Sequence, residues 1–306
     1  MKHFLTLADF TKAEIENLLN TAGDIEKNGE KYSNYLKGKV IGLYFQKVST
    51  RSRFAFESGI YKLGGNSIFF KTSELQLSRG ESLYHTAKAL ACYLDALVIR
   101  ALSHQDVEDF ANFGSIPVIN SMSGMYIPAV PLNIAYTLKK KKGTLENLKF
   151  CYVGDGYNTC HSVMIFCSKM GLDVTVITPP GYEPNPVVNE MCLEFAAENN
   201  SSVKITNDLN EIEGADVIVT DVWVSIGMEV EKEKRYRDFQ GYTVNRALVE
   251  KTGKEDVLIF HPMPIRIGEE LCADVVDKAV FTEYSKNLLY VCQSILVNTF
   301  SKEEEK

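Results

Sequence analysis

"KVIGLYFQKVSTRSRFAFESG", Lys39–Gly59, is the stretch on which the reading of this chain turns. After Lys39 its residues 40–45 form a continuous apolar run, as a strand buried on both faces should. A polar turn follows, and then a segment with helical spacing that begins near Thr50 or Arg51. The turn sets Ser49, Thr50, Arg51, Ser52 and Arg53 side by side. The first N–H groups of a helix have no partner within it, and the helix dipole is positive at that end. Ser49 or Thr50 can cap the helix, and the plain reading is a capped helix with two surface arginines. The sharper reading is a phosphate cradle in which free N–H groups, hydroxyls and guanidiniums converge on one anion. Phe54, Ala55 and Phe56 follow at once, so the helix start is packed and rigid, which favours the cradle.

The same alternation runs along the chain. Strand-like runs stand at 39–45, 66–70, 95–101, 116–121, 148–154, 173–179, 202–208, 216–223, 256–262 and 279–284. Helical stretches lie between most of them, among them Thr11–Lys27, Glu81–Tyr93 and Asp106–Phe113. That order specifies an α/β fold built on parallel sheets. The best boundary is "KKKKG", Lys139–Gly143, which ends a helix beginning near Pro128; four lysines suit a solvated helix C-terminus. "TLENLKFCYVGDG" then opens a second sheet.

The 306 residues suffice for two domains, and 45% apolar with 24% charged residues describes a globular chain with ample core. A net charge of -7 argues against general nucleic-acid binding, which needs a basic surface. No apolar run approaches the roughly 20 residues of a membrane span. The N-terminal stretch has no signal-peptide core and is too acidic for a transit peptide. Seven scattered cysteines without a CxxC read as reduced thiols of a cytoplasmic protein. No His/Cys cluster has zinc spacing, so no metal is expected.

Four further places carry chemistry. Arg100 closes the strand "DALVIRA", at the end where open α/β sheets bind ligands, and with Arg51 and Arg53 suggests one anion pocket. "VGDGYNTCHS" (153–162) resembles a dinucleotide turn, but Thr159 stands in place of the third glycine. The next strand also ends without an acidic residue, which excludes NAD. Asn158 and His161 remain at a helix start, His161 reading as structural. "TDVWVSIGME" (220–229) puts Asp221 after a buried strand, where it can bind an ammonium group or merely close an Asx turn, with Ser225 and Gly227 shaping the floor. "FHPMPIR" (260–266) sets two prolines around Met263, one of which is a candidate for a cis bond, and His261 is a site residue or a packed one.

Taken in order, "STRSR", Arg100, "LQLSRGESL", "GDGYN", "DVWVSIG" and "HPMP" span nearly the whole chain. The set resembles the aspartate/ornithine carbamoyltransferase superfamily, its ornithine branch most. The resemblance implies two domains, each a parallel sheet flanked by helices: residues 1–138 for carbamoyl phosphate and residues 144–282 for the amino acid. It also implies a C-terminal helix, 283–306, that returns to the first domain. A homotrimer with shared active sites, small-molecule substrates only and no cofactor are implied as well. Carried over by position, Ser49, Thr50, Arg51, Ser52 and Arg100 hold carbamoyl phosphate, with Gln76 serving the neighbouring subunit. Thr50, Arg51 and Arg100 form the catalytic set. Asn158, Asp221, Ser225, Ile226 and Met263 hold the amino acid, Ile226 replacing the usual methionine.

Other positions depart from the pattern. Where the family has His-Pro-x-Gln, this chain has Ile127 and Val130, which cannot donate to the carbamoyl oxygen. Pro262 replaces a cysteine that faces ornithine, and the arginine of the last helix is missing, with Asn287 and Cys292 in that region. Two readings stay open: a transferase that carbamoylates an amine, with ornithine giving citrulline, or an impaired paralogue that binds carbamoyl phosphate or phosphate and regulates a partner.

Overall fold

The computed structural model describes residues 2–225 and 227–301. The chain divides into two compact units. The first holds the chain up to Tyr136 together with residues from Ser285 onward, and the second is Thr137–Tyr284.

Unit 1 contains strands β1 (Val40–Phe45), β2 (Asn66–Phe70), β3 (Ala96–Arg100) and β4 (Val118–Met122). Its helices are α1 (Lys12–Lys27), α2 (Arg51–Lys62), α3 (Leu83–Leu90), α4 (His104–Phe113) and the start of α5 (Ala129–Lys142). The sheet order is β2-β1-β3-β4, and every pair is parallel. β3 and β4 are buried throughout, including the polar Asn120 and Ser121 of β4 and Arg100 at the end of β3. β2 lies at the edge with Ile68 half exposed.

Unit 2 contains β5 (Phe150–Val153), β6 (Val174–Ile177), β7 (Val203–Thr206), β8 (Val217–Val219) and β9 (Leu258–Phe260). They form a parallel sheet in the order β7-β6-β5-β8-β9. Helices α6 (Asn158–Met170), α7 (Pro186–Glu198), α8 (Lys232–Asp238) and α9 (Arg246–Glu250) accompany it. α6 is buried on all sides except at Lys169, as its apolar sequence allows.

The tenth expected strand is not one. In "AVFTEY" only Ala279 bridges Ile259, and the Val280 N–H reaches the Ile259 carbonyl at 3.1 Å. α10 (Phe281–Phe300) begins at the next residue. Its β-rich opening composition imitates a strand, but Tyr284, Leu288, Val291, Cys292 and Ile295 are buried at helical spacing. α10 packs back on unit 1: Ser294 Oγ donates to the Leu18 carbonyl at 2.5 Å and Asn17 Nδ2 to Asn298 Oδ1 at 2.6 Å. Tyr35 donates to the Val297 carbonyl at 3.0 Å.

Truncating the buried Ile295 should therefore destabilise unit 1 itself. Ile295→Ala is expected to lower its unfolding free energy by about 2–5 kcal/mol, read by denaturant titration.

Candidate active site

A parallel sheet whose winding reverses has a crevice at the strand C-termini beside the reversal. The reversal lies between β1 and β3 in unit 1 and between β5 and β8 in unit 2.

In unit 1, Phe45 stands in register with Arg100, and Arg100 with Met122. The chain leaves β1 through Gln46, whose N–H donates to the Arg100 carbonyl at 2.9 Å. Its side chain accepts from the Leu102 N–H and donates to Asp106, each at 2.8 Å, which stitches the turn before α2 to the turn after β3. α2 starts at Arg51. Thr50, one of the two expected caps, already has helical dihedrals (φ -78°, ψ -58°), and its side chain makes no capping bond. Ser49, Arg51 and Ser52 are half-buried around that helix start, and Arg100 is buried at the end of β3.

Arg53 departs from the expected anion pocket. Its Nε donates to Glu57 Oε2 at 3.1 Å one turn along, and its guanidinium lies 3.5 Å from the Phe69 ring centre. Gln76 is exposed on a short 3-10 turn (Gln76–Arg79). After β4 the chain is held by Ser123, whose Oγ accepts the Tyr126 N–H at 3.1 Å and contacts His104 Nδ1 at 2.9 Å. The His104 and Tyr126 rings meet edge to face at 4.8 Å. This turn delivers the half-buried Ile127 and the buried Val130 to the start of α5, with the Val130 N–H on the Ile127 carbonyl.

In unit 2, Asn158 follows β5 and Asp221 follows β8, on the two sides of the reversal. Thr159 joins them: its hydroxyl donates to Asp221 Oδ2 at 2.6 Å, while the Val222 N–H donates to Oδ1 at 2.8 Å. Burial pushes the Asp221 carboxyl above its ordinary range and Glu270 adds to this, while His261 and the two hydrogen bonds pull against it. Ser225 is half-buried a few residues on; Ile226 lies outside the described residues. Met263 follows β9 with φ 66°, in the left-handed region that a side chain rarely adopts, and precedes a cis bond to Pro264.

Arg235 ties these loops together. Its Nη1 donates to Asp155 Oδ2 at 2.6 Å and to the Trp223 carbonyl at 3.0 Å, and its Nε to Glu231 at 2.8 Å. One guanidinium thus bridges the turn that carries Asn158 and the turn that carries Asp221. Burial raises the Asp155 carboxyl to about 6, with Arg235 opposing the rise. Gly156 is needed for contact rather than torsion, since a Cβ there would stand 2.5 Å from backbone atoms of Tyr182, Glu183 and Pro184. His161 is structural, its Nε2 accepting the Asn185 N–H at 3.0 Å.

The sequence reading missed three of these residues. Thr159 registers in sequence only as a missing glycine, Arg235 lies 80 positions from Asp155, and Glu270 sits in an unremarkable turn. No periodicity links such partners.

Arg235→Met should leave Asp155 buried without its counter-ion. Breaking such a pair costs about 3–5 kcal/mol. Asp155 binds its proton more tightly when folded than when unfolded, so its ionisation works against the fold as pH rises from about 4 through about 6. The variant's loss in urea titrations is therefore expected to be larger at pH 8 than at pH 5.

Residues 2–139 match the family model described as "Aspartate/ornithine carbamoyltransferase, carbamoyl-P binding domain", and residues 146–299 match its "Asp/Orn binding domain". An ornithine carbamoyltransferase of Oceanobacillus iheyensis is 40% identical over 300 residues, 96% of this chain and 93% of its own length. One from Thermococcus kodakarensis is 41% identical over 298 residues, 95% and 94% of the two chains. The solved ornithine carbamoyltransferase of Pyrococcus furiosus superposes with a TM-score of 0.92 at 39% identity, covering 96% of each chain. Two crevices on two parallel sheets, and likeness over nearly the full length, lead to one conclusion: this chain belongs to the aspartate/ornithine carbamoyltransferase family.

Proposed function

We propose that the protein moves the carbamoyl group of carbamoyl phosphate to the side-chain amine of ornithine, giving citrulline and phosphate. The observation that carries this reading is Asp221, a partly buried carboxylate at the sheet reversal of unit 2. It is held in place by Thr159 and the Val222 amide, with its charge available to an ammonium group. The relatives of about 40% identity, all named ornithine carbamoyltransferase, support the same acceptor.

In this reading residues 1–138 bind carbamoyl phosphate through Ser49, Thr50, Arg51, Ser52 and Arg100. Residues 144–282 bind the amino acid through Asn158, Asp221, Ser225, Ile226 and Met263. The deprotonated amine attacks the carbonyl carbon, the bond from carbon to the bridging oxygen breaks, and the amine proton is lost. Arg51 and Arg100 neutralise the departing phosphate, and Thr50 with Arg100 polarises the carbonyl. The reaction asks for alignment more than for covalent help.

The active form is a homotrimer in which Gln76 serves a neighbouring copy. The exposed Phe54, Tyr61 and Ile68 of unit 1 support an apolar contact there. The reduced cysteines suit the cytoplasm.

A second reading is favoured by Ile127 and Val130. Aliphatic side chains stabilise no oxyanion, and loss of one such donor removes about 2.7–4 kcal/mol of transition-state binding. A chain so weakened could serve as a binder of carbamoyl phosphate that regulates a partner.

An end-point assay for ureido product with ornithine, putrescine, lysine and aspartate decides between them. Product from ornithine is expected, with Arg100→Gln lowering kcat/KM by about 10²–10³-fold. Carbamoyl phosphate binding without product from any amine would establish the binder. A rate rise of about 10²-fold or more in Ile127→His with Val130→Gln would mean that the natural chain has lost catalytic power rather than changed substrate. Sedimentation at working concentration should give three copies, and a monomer would refute the shared site.

A further inference from the structure

A second carboxylate that the proposed reaction does not use acts on Asp221 electrostatically. Glu270 and His261 have fully buried side chains, and Glu270 Oε1 lies 3.0 Å from His261 Nε2. The same oxygen accepts the Arg266 N–H at 2.7 Å. His261 Nδ1 accepts the Met263 N–H at 2.8 Å. A ring nitrogen that accepts an amide proton carries a lone pair, so the hydrogen-bond network assigns the ring proton to Nε2, where Glu270 receives it. One carboxylate oxygen therefore fixes both ends of the 261–266 turn and the tautomer between them.

The other oxygen, Oε2, is buried with no hydrogen-bond partner among the described residues. Nothing in the turn requires this. A glutamine would accept the same two protons and would not bury a charge. The benefit of the charge lies outside the turn. The groups facing Asp221 are Tyr152 on β5, Asp155 in the turn after it, Thr159 on α6, His261 after β9 and Glu270. Of the cluster's three carboxylates, Asp155 shares Arg235 with Glu231, and among the described residues neither Asp221 nor Glu270 has an ion pair with a lysine or arginine. The cluster is short of positive charge.

We infer that Glu270 is a positioning residue that selects acceptors carrying an α-ammonium group. It locks the His261–Met263 turn beside Asp221 and adds a second negative charge that acts on it, so that the crevice of unit 2 is completed by a cation. This inference rests on the proposed carbamoyl transfer to ornithine.

The test compares ornithine with 5-aminopentanoate, which keeps the reacting amine and the carboxylate and lacks only the α-ammonium. Glu270→Gln preserves shape and both accepted hydrogen bonds. It is expected to reduce the ratio of kcat/KM for ornithine to that for 5-aminopentanoate by about tenfold. KM for carbamoyl phosphate should stay within about twofold, because uniform binding in the other unit is untouched. A purely structural role would lower both acceptors alike and leave the ratio unchanged, which would overturn the inference. Glu270→Ala, which also frees the His261 N–H, should reduce the ratio further; if it does not fold, the Gln variant still decides.

If the wild-type protein carbamoylates neither compound, the functional reading fails, and a separate measurement judges Glu270. The carboxyl ¹³C resonance that disappears in Asp221→Asn is titrated in wild type and in Glu270→Gln. Removing a neighbouring negative charge should move its midpoint to lower pH by about half a unit or more. An unmoved midpoint would show that Glu270 exerts no field on Asp221.

Discussion

Parallel pairing is the constraint behind everything else in this molecule. A parallel strand cannot be reached by a hairpin; the chain must cross over, here by helices, before it runs in the same direction again. Every strand of a sheet then ends on one edge, and the turns that follow are neighbours however far apart they lie in sequence. Arg100 meets the turn that precedes Arg51 because β1 and β3 are adjacent, with Phe45 and Arg100 in register. Asp221 meets Thr159 because β5 and β8 are adjacent. The inner strands β3, β5, β6 and β8 are buried throughout, and the loops of interest leave from their ends or from β1 beside them.

The two crevices are opposite in character. That of unit 1 is bordered by Ser49, Arg51 and Ser52 at the start of α2 and by Arg100 at the end of β3. That of unit 2 holds Asp155, paired with Arg235, and Asp221, with Glu270 acting on Asp221 electrostatically. The contrast follows from which residue types close each strand. Each unit repeats the same architecture and differs in the charge its loops present.

Much of this was legible in the sequence, for reasons that particular residues make plain. Apolar runs such as "DALVIRA" announce buried parallel strands, and the helix expected after "STRSR" begins at Arg51. "AVFTEY" misled because Val, Phe, Thr and Tyr favour strands, whereas the register that decided its fate lies further on, in Leu288, Val291 and Ile295. Residue type and spacing alone did not separate Arg53 from Arg51. Only the fold reveals that Arg53 has Glu57 one turn along and the Phe69 ring against its guanidinium. Thr159, Arg235 and Glu270 were invisible because their partners are set by strand order, which local spacing does not encode.

The return of α10 to unit 1 also bears on the birth of the protein. Synthesis proceeds from the N-terminus, and domains tend to fold as they emerge. Unit 2 has all its residues once Tyr284 has left the ribosome, but unit 1, begun first, must wait for the segment that carries Ser294 and Ile295. Until then the face of α1 around Leu18 lacks its cover. The older half of the nascent chain thus completes its core last, and that interval is when chaperones would have the most to bind.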